Sequence, residues 1–152
     1  MLKHTLSWLA LRVLITAKAV WSPTAFGVAG ALFDDQGRVL VVRHRYRPGW
    51  HLPGGGVDRG EPPHSAVLRE LAEEAGLMGG TAEFFALYTR RLGWATNVVA
   101  LYRVSGAVSF RPSLEIAEIR FIDPAAPPPD TGRATLRRLD ELAGRAAPSP
   151  YW

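Results

Sequence analysis

The stretch from Gly54 to Leu77 reads GGGVDRGEPPHSAVLRELAEEAGL, and it constrains the fold more than any other part of the chain. Pro62 and Pro63 stand where proline is tolerated, in the first turn of a helix, and Gly76 stands where a left-handed residue ends one. At 100 degrees per residue, Glu70, Glu73 and Glu74 fall within an arc of roughly 100 degrees, while Leu68, Leu71 and Ala75 gather on the opposite side. Like charges three or four places apart cost a helix about 0.2–0.5 kcal/mol per pair. The helix is therefore expected to lie with Leu71 on a core and to project its carboxylates away from it, toward something positive.

Three acidic side chains gathered on a fixed surface suit a hard divalent cation, and magnesium takes oxygen ligands while keeping positions for water or phosphate. Gly54, Gly55 and Gly56 let the backbone come close to a metal or a phosphate. Arg69 lies beside Glu73 on the helix wheel and can orient a carboxylate. Taken alone, the same residues also describe a solvated acidic helix next to a flexible loop.

The remaining sequence supplies the setting. A chain of 152 residues suits one domain with a proper core. Its formal charge of +4 favours anionic partners. The absence of cysteine excludes disulfides, thiolate zinc sites and cysteine nucleophiles, and fits a reducing, cytoplasmic setting. Residues 22–147 are expected to form the domain, with 148–152 a loose tail. TAFGVAGALFDDQGRVLVVRHRY reads as two strands around the turn cluster Asp34–Gly37, and TAEFFALYTRR, NVVALYRV and IAEIRFID read as further strands. A last helix is expected from a cap at Asp130 or Thr131 through Arg145, with Leu136, Leu139 and Leu142 on its apolar side. The strands do not alternate with helices as parallel units do, so the class is mixed α+β.

Residues 1–21 form a separate feature. Their apolar middle is interrupted by Arg12 and is shorter than the roughly 20 residues a membrane span needs, so they are read neither as a span nor as a cleaved leader. Leu2, Leu6, Leu9, Val13, Ala17 and Val20 form one helical stripe, and Trp8, Leu11 and Ile15 occupy another side. One face is expected to pack on the chain's own domain and the other on a second copy, giving a homodimer. A helix lying on a membrane surface with Lys3, Arg12 and Lys18 at the headgroups is disfavoured, because the charges are poorly segregated.

The spacing of Gly55, five residues, Glu61, seven residues and then Arg69-Glu70-Leu71-Ala72-Glu73-Glu74-Ala75-Gly76-Leu77 resembles the signature of the Nudix hydrolases at every defined position. That resemblance implies an α/β/α sandwich around a central mixed sheet, to which residues 1–21 add an extra N-terminal helix. It implies hydrolysis of a diphosphate bond in a nucleoside diphosphate derivative or nucleoside triphosphate with Mg2+ or Mn2+. By position, Glu70, Glu73, Glu74 and the Gly54 carbonyl are the implied metal ligands, with Glu61, Arg69 and Gly76 supporting them. The implied base is Glu70 or Glu73 on the helix, or Glu115 in RPSLEIAEIRF, where Glu118 also stands.

Substrate contacts lie outside the motif. Arg43, Arg45 and Arg47 in RHRYR, together with Gly55, are expected at the phosphates, and Arg90 and Arg91 stay open. Tyr88, Trp94 and Trp50 are candidates for stacking on a base, although aromatic residues are more often core. The chain lacks the cysteine of isopentenyl diphosphate isomerases. It also lacks, at the expected places, the proline of ADP-ribose hydrolases, the extra motif of coenzyme A hydrolases and the tyrosine of dinucleoside polyphosphate hydrolases. Two alternatives stand beside the hydrolase. One is a non-catalytic nucleotide-sensing module, disfavoured because every motif glutamate is present. The other is an RNA 5'-end pyrophosphohydrolase, although no mixed aromatic and basic tract marks a nucleic-acid groove.

Overall fold

The computed structural model describes residues 2–152, with side chains from Arg12 onward. The elements run α1 (Leu2–Trp21), β1 (Thr24–Leu32), β2 (Val39–His44), α2 (Pro63–Ala75), β3 (Leu77–Leu92), β4 (Ala95–Val108), β5 (Ile116–Ile122) and α3 (Arg133–Leu142). β1 lies parallel to β4, with Thr24 opposite Thr96 and Leu32 opposite Val104, and β3 is antiparallel to β4. The result is a mixed sheet of order β1-β4-β3, beside a second, antiparallel pair β2-β5. The two strands flanking the Asp34–Gly37 turn therefore enter different sheets and touch through an isolated bridge between Phe33 and Val39.

Alternation along the strands builds core on both faces. Val28 and Leu32 of β1, Leu40 of β2 and Ala100, Tyr102 and Val104 of β4 pack with Val67, Leu71 and Ala75 of α2. Their odd-numbered neighbours Ala29, Ala31, Val39, Val41, Val99 and Leu101 point the other way, onto Leu139 and Leu142 of α3. A period of two places successive side chains on opposite faces, so strands covered by a helix on each side must be apolar throughout. This is the α+β layering expected from the sequence.

α2 starts and stops as the prolines and Gly76 predict. Gly76 is left-handed at φ 70, and its N–H donates to the Ala72 carbonyl at 3.0 Å. α3 differs from expectation: it ends at Leu142, and its N-cap is Gly132 without a side-chain cap. Asp130 instead binds Arg43 at 2.8 Å, and the Thr131 hydroxyl is buried without a partner.

The N-terminal helix is present, and its residues 12–21 are all exposed. The stripe members Leu2, Leu6 and Leu9, along with Trp8 and Leu11, lie outside the described side chains. Among the described residues no helix is long and apolar enough to cross a membrane.

The tail also corrects the sequence reading, because it is tied down. Thr89 N donates to Pro150 O at 2.9 Å and Trp152 N to Thr89 O at 3.0 Å. Beneath it Arg138, fully buried, donates to Glu141 at 2.7 Å, and Glu141 also accepts from the Tyr88 hydroxyl at 2.7 Å and from Ser149 N at 3.0 Å. Arg138 also donates to the Tyr151 carbonyl at 3.2 Å. A buried charge pair needs such additional hydrogen bonds to offset its desolvation, and here the tail provides them.

Candidate active site

The glycine segment is laid along the edge of β1. Val28 N donates to Gly55 O and Gly30 N to Pro53 O, while Val57 N donates to Phe26 O, each at 2.9 Å. Gly54 sits at φ 150, and a Cβ there would collide with the Val28 carbonyl oxygen. Only glycine combines that conformation with that approach. The consequence is that the Gly54 N–H is left aimed at Glu74 Oε2, 2.8 Å away.

Glu74 is 6% exposed, so the acidic arc does not project wholly away from the core as expected. Its place on the wheel is right, but the glycine segment covers it. Glu73 is 60% exposed, and Glu70 lies between them, close enough to Gly55 that a Cβ there would come within 2.5 Å of its carboxylate. Arg69 joins the pieces. It donates to Glu61 through Nε and Nη2, both at 2.9 Å, to Glu70 at 2.8 Å, to Glu73 at 3.4 Å and to the Gly56 carbonyl at 2.9 Å. The Arg69 hydrogen bonds, with another from Asp58 N, hold the Glu61 carboxyl down at about 2.

Glu115 and His44 close the other side. Tyr46 donates its hydroxyl to Glu115 Oε1 at 2.8 Å, and His44 Nδ1 lies 3.9 Å from Glu74 Oε1. Burial pushes the Glu74 carboxyl up to about 8 against the pull of the Gly54 N–H, and Glu70, Glu115 and Glu73 add to the rise. Burial raises Glu70 as well, against the opposing Arg69. Burial and the neighbouring His51 lower His44, which favours a neutral ring. A covered carboxylate among three others, facing a neutral imidazole, is short of positive charge, and a divalent cation fits that deficit.

A cavity of about 290 Å³ opens beside this cluster, lined by Gly54, Gly55, Gly56, Phe26, His44, Arg47, Arg90, Asn97 and Trp152 among others. Of the RHRYR arginines, Arg47 reaches this cavity. Arg43 is paired with Asp130 and lies over the Trp50 ring at 4.4 Å, while Arg45 donates to the Ser113 carbonyl at 2.8 Å. Trp50 and Tyr88 are fully buried in the core, Trp94 is exposed, and none of the three lines the cavity. Glu118 pairs with Arg120 at 3.1 Å on β5. The sequence reading missed Asn97 and Trp152. A buried asparagine within NVVALYRV carried a signal, as a polar residue opening an apolar strand; Trp152 carried none.

A family model of the NUDIX domain matches residues 23–142. The chain belongs to the Nudix family. Among curated proteins, this Nudix chain is 43% identical over 63 residues to the RNA pyrophosphohydrolase of Gluconacetobacter diazotrophicus, covering 36% of this chain and 38% of that protein. It is 38% identical over 84 residues to the ADP-ribose pyrophosphatase of Mycobacterium tuberculosis, covering 52% and 41% respectively. It is 31% identical over 97 residues to a MutT-like protein of Streptomyces ambofaciens, covering 64% and 62%. The chain thus spans less than two thirds of the length of these relatives. Among solved structures, the MutT NUDIX hydrolase of Burkholderia pseudomallei aligns with a TM-score of 0.67 at 25% identity, over 80% of this chain and 99% of that one. The NUDIX domain of Shewanella oneidensis NrtR, at 22% identity and a TM-score of 0.67, shares the fold over 83% of this chain and 90% of its own.

Proposed function

We propose that this Nudix chain hydrolyses a diphosphate bond in a nucleoside diphosphate derivative or nucleoside triphosphate, releasing a nucleoside monophosphate as one product. The observation that carries this reading is the covered Glu74 carboxylate, fixed by the Gly54 N–H beside a cavity walled by glycine backbone and by Arg47 and Arg90. Glu70, Glu73, Glu74 and the Gly54 carbonyl would hold Mg2+ or Mn2+. Such an ion, when bound, neutralises diphosphate oxygens and acidifies a coordinated water.

The chain's own residues supply the rest. Arg69 holds one oxygen of Glu70, leaving the other as general base. Water attacks phosphorus, its proton passes to Glu70, and the bridging P–O bond breaks with the electron pair leaving on the departing phosphate. Arg47 and Arg90 bind the phosphate oxygens, with Gly55 backbone close by. Asn97 and Trp152 face the base. Glu61 keeps Arg69 in place through its two-pronged contact.

The test is a panel of nucleoside triphosphates, nucleoside diphosphate derivatives and 5'-triphosphorylated RNA, incubated with MgCl2 and read by phosphate release. Glu70→Gln should lower turnover by about 10²–10⁴-fold. Full activity in both Glu73→Gln and Glu74→Gln would refute the assignment. A second reading, pyrophosphate removal from RNA 5' ends, draws on the name of the G. diazotrophicus relative and on the net charge of +4, and the RNA arm of the panel decides it.

A further inference from the structure

His44 stands at the end of β2, where the register against β5 shifts between Arg43 and His44. Such irregularities re-aim a side chain, and here the His44 ring is turned inward, its centroid 5.1 Å from that of Tyr46 and 5.9 Å from that of His51, tilted by 41° and 42° to them. Its side chain is 7% exposed, and its Nδ1 has no hydrogen-bond partner while lying 3.9 Å from Glu74 Oε1. A buried ring nitrogen left without a partner is costly, so this one calls for an acceptor of its lone pair or of its proton.

The opposing group is Glu115, anchored through its backbone and one carboxylate oxygen. Ser113 Oγ accepts from Glu115 N at 3.2 Å and from Ile116 N at 2.9 Å, and Tyr46 holds Glu115 Oε1. His44, Glu74 and Glu115 each place one ligand atom within 4.8 Å of the others. Because Gly54 occupies Glu74 Oε2, the oxygen facing His44 is Oε1.

We infer that His44, Glu74 and Glu115 form a mixed nitrogen and oxygen site for a divalent first-row transition metal. Imidazole nitrogen suits such ions, whereas magnesium prefers oxygen alone, so His44 biases this end of the cluster toward manganese and its heavier neighbours. Donors around one such ion, with bonds of about 2.1 Å, lie roughly 3.0–3.5 Å apart, so on binding Glu74 Oε1 would draw toward His44 from its present 3.9 Å, and the exposed Glu115 carboxylate would turn inward about its anchored backbone. The site shares Glu74 with the ligands proposed for hydrolysis and rests on that reading through this residue alone.

The probe is Mn2+ alone, added to the full chain and followed by pulsed electron paramagnetic resonance. The expected spectrum carries ¹⁴N modulation from a directly bound imidazole, replaced by a ¹⁵N pattern when histidine is ¹⁵N-labelled. His44→Phe, which keeps an aromatic ring against Tyr46 and His51, should abolish the modulation and weaken Mn2+ binding about tenfold or more. Its Mg2+ affinity should stay within about twofold of the parent. Should the phenylalanine variant fail to fold, His44→Gln takes its place in the same measurements. Modulation missing from the parent, modulation surviving the His44 change, or equal losses for Mn2+ and Mg2+ would each overturn the inference. A water bridging His44 and Glu74 would give the first of these results. Phosphate release with Mg2+ but no nitrogen coupling sinks this site and leaves the hydrolase; coupling without turnover on the panel does the reverse.

Discussion

Glu74→Gln should make the metal-free protein more stable in alkali. The folded chain holds the Glu74 carboxyl at about 8 against an ordinary value of 4.5. An acid whose folded value is raised keeps its proton longer in the fold than in the unfolded chain. Stability is therefore greatest below about 4.5, falls as pH rises toward 8, and levels off beyond it. The gap corresponds to a ceiling of about 5 kcal/mol. Side-chain rearrangement on ionisation absorbs part of it, leaving on the order of 3 kcal/mol, or roughly 6–12 °C in Tm for a domain of this size. Glutamine keeps an oxygen for the Gly54 N–H and carries no charge. Thermal unfolding in EDTA between pH 4.5 and 9 should show parent and variant similar at the acid end and the variant higher at pH 9. Added Mg2+ at pH 9 should raise the parent and leave the variant nearly unmoved. A variant less stable than the parent at pH 9 in EDTA would show that the carboxylate cluster is not under electrostatic stress. An equal Mg2+ response in both would show that Glu74 is not a ligand.

Arg69→Lys, which cannot reproduce the contacts to Glu61, Glu70 and the Gly56 carbonyl together, should weaken Mg2+ binding about 10–100-fold by calorimetry while the circular dichroism spectrum is kept. Because Glu61 is held at about 2, its contribution to stability is present above 4.5 and lost as pH falls toward 2; urea unfolding should separate Glu61→Gln from the parent at pH 6, with the gap closing by pH 2. Arg138→Ala strands Glu141 as a buried unpaired charge and should cost about 3–5 kcal/mol in denaturant unfolding. Trp152→Ala and Asn97→Ala should raise KM for the panel's best substrate with little change in kcat, as expected for residues that contact the base and not the reacting phosphorus. Val13, Leu14, Ile15 and Val20 are exposed on α1, and if that helix joins two copies, removing residues 1–21 should halve the mass seen by light scattering; a monomeric intact chain refutes it.

Local signals were legible because they need no distant partner. Pro62, Pro63 and Gly76 fix the ends of α2 through backbone conformation, and a period of 3.6 places its glutamates on one arc. The continuous apolar runs of β1 and β4 announced strands but not their pairing, since their parallel register joins residues about seventy positions apart. Burial of Glu74 was hidden for the same reason, because what covers it is the segment around Gly54 and not its own helix. Arg43, Arg45 and Arg47 looked equivalent in RHRYR, all on one face by alternation, yet β2 shifts register and ends at His44, so Arg43 lies over Trp50 while Arg47 lines the cavity. Arg138 and Glu141, three apart on a polar helix, resemble any surface pair until Tyr88 and the tail close over them.

That closure has a practical side for anyone handling this protein. Since Trp152 forms part of the cavity wall, a chain segment fused directly after it begins at the edge of that cavity. A purification handle attached there would crowd the entrance and prise at the Pro150–Thr89 seam, so kinetic work is better served by a handle at the other end.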